Sequence, residues 1–149
     1  LSTSAELVIK TTTLKTYQKP SITYLMKSNL EQAKEFREAF QVKNSQNLSS
    51  RNMQRNLIIE EFKEFLEAEG MLFRQSLHLH EEAIKELSDL VYVCYQYAAN
   101  MGWDLDEALR RVHESNMSKL GDGGKPIYRE DGKVLKSKNY KPPTLSDLV

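Results

Sequence analysis

Apolar residues recur at helical spacing in four stretches of the chain, with polar breaks between them. Leu30, Ala33, Phe36 and Phe40 fall three and four apart, which predicts a short amphipathic helix over residues 30–41, capped by Ser28 or Asn29. The polar run from Asn44 to Ser50 predicts a loop. A second helix is expected from about Ser50 to Glu69, with Met53, Leu57, Phe62, Phe65 and Leu66 on its apolar face and Gly70 as its stop. Met71 to Leu79 is ambiguous and fits a connection with a helical turn. The third helix, about His80 to Met101, carries Ala83, Leu87, Leu90, Val91, Cys94 and Ala98. So wide a stripe predicts a central position, and Gly102 predicts its end. Asp104 with Glu107 three residues later resembles a capping box and predicts a fourth helix over 105–120, stopped by Gly121-Asp122-Gly123-Gly124. Ile127–Arg129 and Lys133–Leu135 flank Glu130-Asp131-Gly132, a hairpin signal, and Pro142-Pro143 predicts an extended tail. Residues 1–28 are Thr- and Lys-rich with a break at Lys19-Pro20, and predict a loose arm with a short extended stretch at Glu6–Thr11. The predicted fold class is all-α: a four-helix bundle with a small C-terminal β-hairpin, one domain over 29–149 behind the arm.

Composition narrows the function classes. With 149 residues, 40% apolar and 28% charged, the chain suits one domain with a real core. No run of 18 apolar residues predicts a membrane span. The single Cys94 excludes an internal disulfide and a cysteine zinc site. His78, His80 and His113 are preceded three residues earlier by Gln75, Leu77 and Arg110, so the Glu-x-x-His motif of di-iron bundles is absent. Leu1 to Lys10 lack the basic-then-apolar order of a signal peptide; the expectation is a cytoplasmic protein, with a removed targeting segment left open.

The net charge is zero, from 21 Lys+Arg and 21 Asp+Glu, which argues against a nucleic-acid binder. The sum hides a partition, because residues 30–114 carry −6 while residues 1–29 and 115–149 carry +3 each. Ordinary helix-surface patterning accounts for this, and so does an acidic metal site with basic flanks that hold an anionic substrate.

The positions of the acids bear on that choice. Glu60-Glu61-Phe62-Lys63-Glu64 puts Glu64 beside both Glu60 and Glu61 on one helix. Glu86 and Asp89 share a face of the next helix, with Glu82 one turn earlier. If the two helices pack antiparallel, these clusters face each other, and a cation then offsets their repulsion. Carboxylates without Cys or His suit Mg²⁺ or Mn²⁺. Glu60 and Glu61 follow the apolar run Leu57-Ile58-Ile59, Glu86 and Asp89 lie among Ile84, Leu87, Leu90 and Val91, and Lys63 and Lys85 are the only immediate bases. A solvated helix face remains the competing reading, since Glu is a good helix former.

Glu60-Glu61-x-x-Glu64 followed by Glu86-x-x-Asp89 resembles the signature of the all-α nucleoside triphosphate pyrophosphohydrolases, in their MazG-like, phosphoribosyl-ATP-pyrophosphohydrolase-like branch. Further blocks resemble that branch: Glu35 to Phe40, Glu86 to Val93, Val112 to Leu120 with Gly124-Lys125-Pro126, Arg129 to Val134, and Asn139 to Pro143. The resemblance implies hydrolysis of a nucleoside triphosphate or related nucleotide to the monophosphate and pyrophosphate. It implies Mg²⁺, with Mn²⁺ as a substitute, on Glu60, Glu61, Glu64, Glu86 and Asp89, with Glu61 or Glu64 the alternative candidates for a general base. It further implies Asn116 on sugar or base, Lys119 on phosphate, and Lys125, Arg129, Lys133 and Lys138 on the polyphosphate. A homodimer or dimer of dimers is implied as well. Gly121 to Lys125 is not a phosphate loop, because Pro126 follows Lys125 and the spacing is wrong. The competing function classes are a helical interaction module and a nucleotide-binding regulator without turnover.

Overall fold

The computed structural model describes residues 27–149. The predicted arm, with its stretch at Glu6–Thr11 and break at Lys19-Pro20, falls almost wholly outside the described residues. Among them are four α-helices: α1 (Asn29–Ala39), α2 (Leu48–Gly70), α3 (Leu77–Met101) and α4 (Leu105–Met117). Among the described residues no helix is long and apolar enough to cross a membrane.

Local chemistry sets most of the boundaries. Ser28 caps α1 in a full capping box, its hydroxyl accepting from the Glu31 amide while the Glu31 carboxylate accepts from the Ser28 amide. The Asn47 side chain caps α2 by accepting from the Ser50 amide, two residues earlier than expected. Asp104 caps α4 by accepting from the Glu107 amide. α3 ends at Gly102, whose φ of 75° is the left-handed conformation that glycine adopts at no steric cost. α2 ends at Gly70, one residue past the expected Glu69, but the glycine does not take the left-handed conformation; the chain passes through Met71 into a 3-10 turn at Leu72–Arg74, and Gln75 is left-handed instead. α4 is shorter than its sequence pattern, because the Ser118 hydroxyl donates to Ser115 O and accepts from the Lys141 amide, tying the chain to the tail.

α2 and α3 form the principal packed pair, and α1 lies across α3. Ser50 bonds to Asn100 while Glu61 lies against Glu86 and Asp89, so the pair is antiparallel. The compact core is small: Leu30 and Ala33 of α1 meet Tyr95, Ala98 and Ala99 of α3, with Trp103 and Leu105 packed against them. Along the α2–α3 seam, Ala68 and Ala83 are buried near the turn. Much of the apolar pattern stays outside this core. Met53, Phe62 and Leu66 of α2 and Ile84, Leu87 and Val91 of α3 are exposed.

The predicted β-hairpin is not formed. Among the described residues there is no strand, only an isolated antiparallel bridge between Tyr128 and Val134. The chain does reverse there, with Gly132 at a φ of 83° and hydrogen bonds from the Arg129 amide to Lys133 O and the Leu135 amide to Ile127 O. Both arms are exposed and short, and a two-stranded unit without a third strand or a helix face beneath it does not sustain a ladder.

Candidate metal centre

Antiparallel packing of α2 on α3 brings Glu61, Glu86 and Asp89 together, with one ligand-capable oxygen from each lying within 4.8 Å of the others. All three residues are half-buried. Glu86 and Asp89 share a face because they are three residues apart on α3, and Glu61 enters from α2 because it lies one turn after the half-buried Ile58, on the same face. Burial, and then the charges of Glu64, Asp89, Glu60 and Glu86, push the Glu61 carboxyl above its ordinary value. The Glu86 side chain is 12% accessible against 46% for Asp89, and its Oε2 is buried with no hydrogen-bond partner. Lys85 Nζ stands 2.9 Å from Glu86 Oε1 and 2.9 Å from Asp89 Oδ2.

The other two predicted ligands sit further out. Glu64 is exposed but borders a hollow at the α2–α3 turn together with Glu67, Glu82 and Glu86. Glu60 is exposed and faces another hollow along α2, beside Lys63 and Glu67. Adjacent residues of a helix point about 100° apart, so only one of Glu60 and Glu61 can face α3.

The donor set fits a divalent cation. Three carboxylates without Cys or His are hard oxygen ligands, and an orphaned buried acceptor such as Glu86 Oε2 calls for a positive partner.

The predicted substrate-binding residues form a separate group. Lys119 Nζ donates to Asn116 Oδ1 at 2.7 Å, so the two meet at the end of α4. Arg129 is forked onto Asp131, and Lys138 Nζ is 2.8 Å from Asp122 Oδ2. Lys125 and Lys133 are exposed. This block is fastened to α4 and the turn that follows it: Ser115 Oγ donates to Lys141 O, Ser137 Oγ to Leu120 O, and Arg111 pairs with Asp147. Among the described residues no hydrogen bond or ion pair joins it to the acidic triad.

A second polar cluster at the far end of the α2–α3 pair has no counterpart in the sequence reading. Arg37, 3% exposed, donates from Nε to Asn44 Oδ1, from Nη1 to the Gln96 side chain and carbonyl, and from Nη2 to Lys43 O and Asn100 Oδ1. Asn100 also accepts from the Ser45 amide and the Ser50 hydroxyl and donates to Ser45 O. Gln96 and Asn100, four apart within an apolar stripe, are the signal that would have revealed it.

No match to a curated protein was found. The sequence model of the phosphoribosyl-ATP pyrophosphohydrolase family matches residues 26–116, more than half of the chain. That span holds α1, α2, α3 and nearly all of α4, with all five motif acids, and leaves the C-terminal block outside it. The chain therefore belongs to the phosphoribosyl-ATP pyrophosphohydrolase family, within the MazG-like all-α nucleoside triphosphate pyrophosphatases.

Proposed function

We propose that the protein is a Mg²⁺-dependent hydrolase that cleaves a nucleoside triphosphate, or a related nucleotide, to the monophosphate and pyrophosphate. The observation that carries this is the convergence of Glu61, Glu86 and Asp89 in a family of pyrophosphohydrolases. A divalent cation bound there supplies charge neutralisation on phosphate oxygens and a lowered pKa for a bound water. Glu61, Glu86 and Asp89 would be its ligands, with Glu64 within reach of the same hollow and Glu60 in support. Glu61 and Glu64 are the two candidates for the general base, Glu61 at the seam and Glu64 beside the same hollow.

Asn116 and Lys119 would meet sugar and phosphate as a pair, since they already share a hydrogen bond. Lys125 and Lys133 offer exposed ammonium groups to the polyphosphate. Arg129 and Lys138 can join them only by exchanging Asp131 and Asp122 for substrate. A homodimer or dimer of dimers is part of the proposal, supported by the exposed apolar faces of α2 and α3. Equilibrium sedimentation at micromolar concentration should give at least twice the chain mass, and a monomer opposes it.

Incubation with a panel of nucleoside triphosphates and Mg²⁺, followed by pyrophosphate assay, tests the activity. Release from at least one substrate, abolished by a chelator, is expected. No release from any, with no Mg²⁺-dependent nucleotide binding, rejects the reading.

A further inference from the structure

We infer that Lys85 is an exchangeable counter-ion of the acidic triad and sets how tightly the site holds a divalent cation. This rests on the reading of the triad as a cation site and concerns how that site is tuned.

The argument starts from where the ammonium stands. Lys85 Nζ is 2.9 Å from one oxygen of Glu86 and 2.9 Å from one oxygen of Asp89, the two triad members contributed by α3. The other base of this region, Lys63, borders the hollow on α2 with Glu60, Glu64 and Glu67 instead. Lys85 is thus the cation that meets the triad. It reduces a formal charge of −3 on Glu61, Glu86 and Asp89 to −2.

The partners differ in freedom. The Glu86 side chain is 12% exposed, whereas that of Lys85 is 63% exposed. An exposed lysine pair is held weakly and breaks at little cost, with the ammonium returning to water. Glu86 has no such exit, and its second oxygen is buried without a partner. When the carboxylates are shared with a divalent cation, Lys85 is the group that gives way. Until it does, its like charge at close range opposes the cation.

Lys85→Gln removes the charge at an exposed position and leaves the seam intact. Lys85→Arg keeps the charge. Mn²⁺ is titrated into nucleotide-free protein, and the free ion is followed by its electron paramagnetic resonance signal. Removing one positive charge about 5 Å from a divalent ion in a water-like dielectric, damped by about 0.1 M salt, predicts about fivefold tighter binding for Lys85→Gln, with Lys85→Arg near wild type. Mn²⁺ should also raise the unfolding midpoint of Lys85→Gln more than that of wild type. Wild-type binding with Lys85→Gln unchanged or weaker overturns the counter-ion role and leaves the cation site standing. Equal tightening in Lys85→Arg overturns it as well, since charge is then not the cause. Wild-type protein that binds no Mn²⁺ at millimolar concentration overturns the cation site and this inference with it.

Discussion

Two polar clusters occupy the same seam between α2 and α3, about three helical turns apart, and they are built on opposite terms. At one end the buried Arg37 guanidinium spends its donors on neutral acceptors from Asn44, Gln96, Lys43 and Asn100. At the other end Glu61, Glu86 and Asp89 crowd like charges together, leave Glu86 Oε2 with no partner, and take one exposed lysine as compensation. The first cluster is closed: each guanidinium N–H is used, and it joins α1, the α1–α2 loop, α2 and α3. The second is open: Glu86 Oε2 lacks a partner, and under the proposed function a cation would complete it. Satisfied buried polarity serves the fold, whereas like charges converging on an orphaned acceptor mark the place where chemistry is expected.

The largest effect should come from breaking the closed cluster. Asn100→Ala strips partners from Arg37, the Ser45 backbone and Ser50, and should cost about 2–4 kcal/mol in denaturant unfolding. A loss below about 1 kcal/mol would mean that water replaces the network freely. The open cluster should respond in the opposite way. Asp89→Asn removes a like charge and keeps the shape, so turnover should fall by about 100-fold while helix content and unfolding free energy hold.

Three helix ends were legible in the sequence because capping is local: Ser28 and Asp104 accept from amides three residues on, and the Gly102 amide donates back to the carbonyls of Ala98 and Ala99. The acidic site was half legible. Spacing put Glu86 and Asp89 on one face, but which of Glu60 and Glu61 meets them depends on how α2 is rotated against α3. The Arg37 cluster was missed because it joins residues about 60 positions apart, a pairing that no local pattern encodes. The hairpin was overread because turn residues specify a reversal, while a ladder needs a supporting face that the fold does not provide.

The C-terminal bases carry a smaller expectation. Lys119→Ala should raise KM by about tenfold with kcat nearly unchanged, if its ammonium leaves Asn116 for phosphate. An unchanged KM would reduce that contact to a helix-end pair.

The smallest effects lie in pH, with opposite signs for two kinds of carboxylate. Glu107, gripped by Arg110 and Arg111, has its carboxyl held down to about 2, so its contribution to stability is present above its ordinary 4.5 and is lost as pH falls toward about 2. Glu61 is shifted upward, so its contribution is present below 4.5 and is lost as pH rises through its raised value. Urea unfolding across this range should show Glu107→Gln less sensitive to acid than wild type. Glu61→Gln should lose the gain that acid brings at that site. Matching profiles for both variants would erase the distinction between gripped and crowded acids.

The most direct test joins both properties in one variant. Glu61→Gln should be measured for unfolding free energy without cation and for pyrophosphate release with Mg²⁺. The open-site account predicts that release is lost while stability is unchanged or higher, because one of three crowded charges is gone. Full activity, or activity lost together with a clear fall in stability, would contradict it.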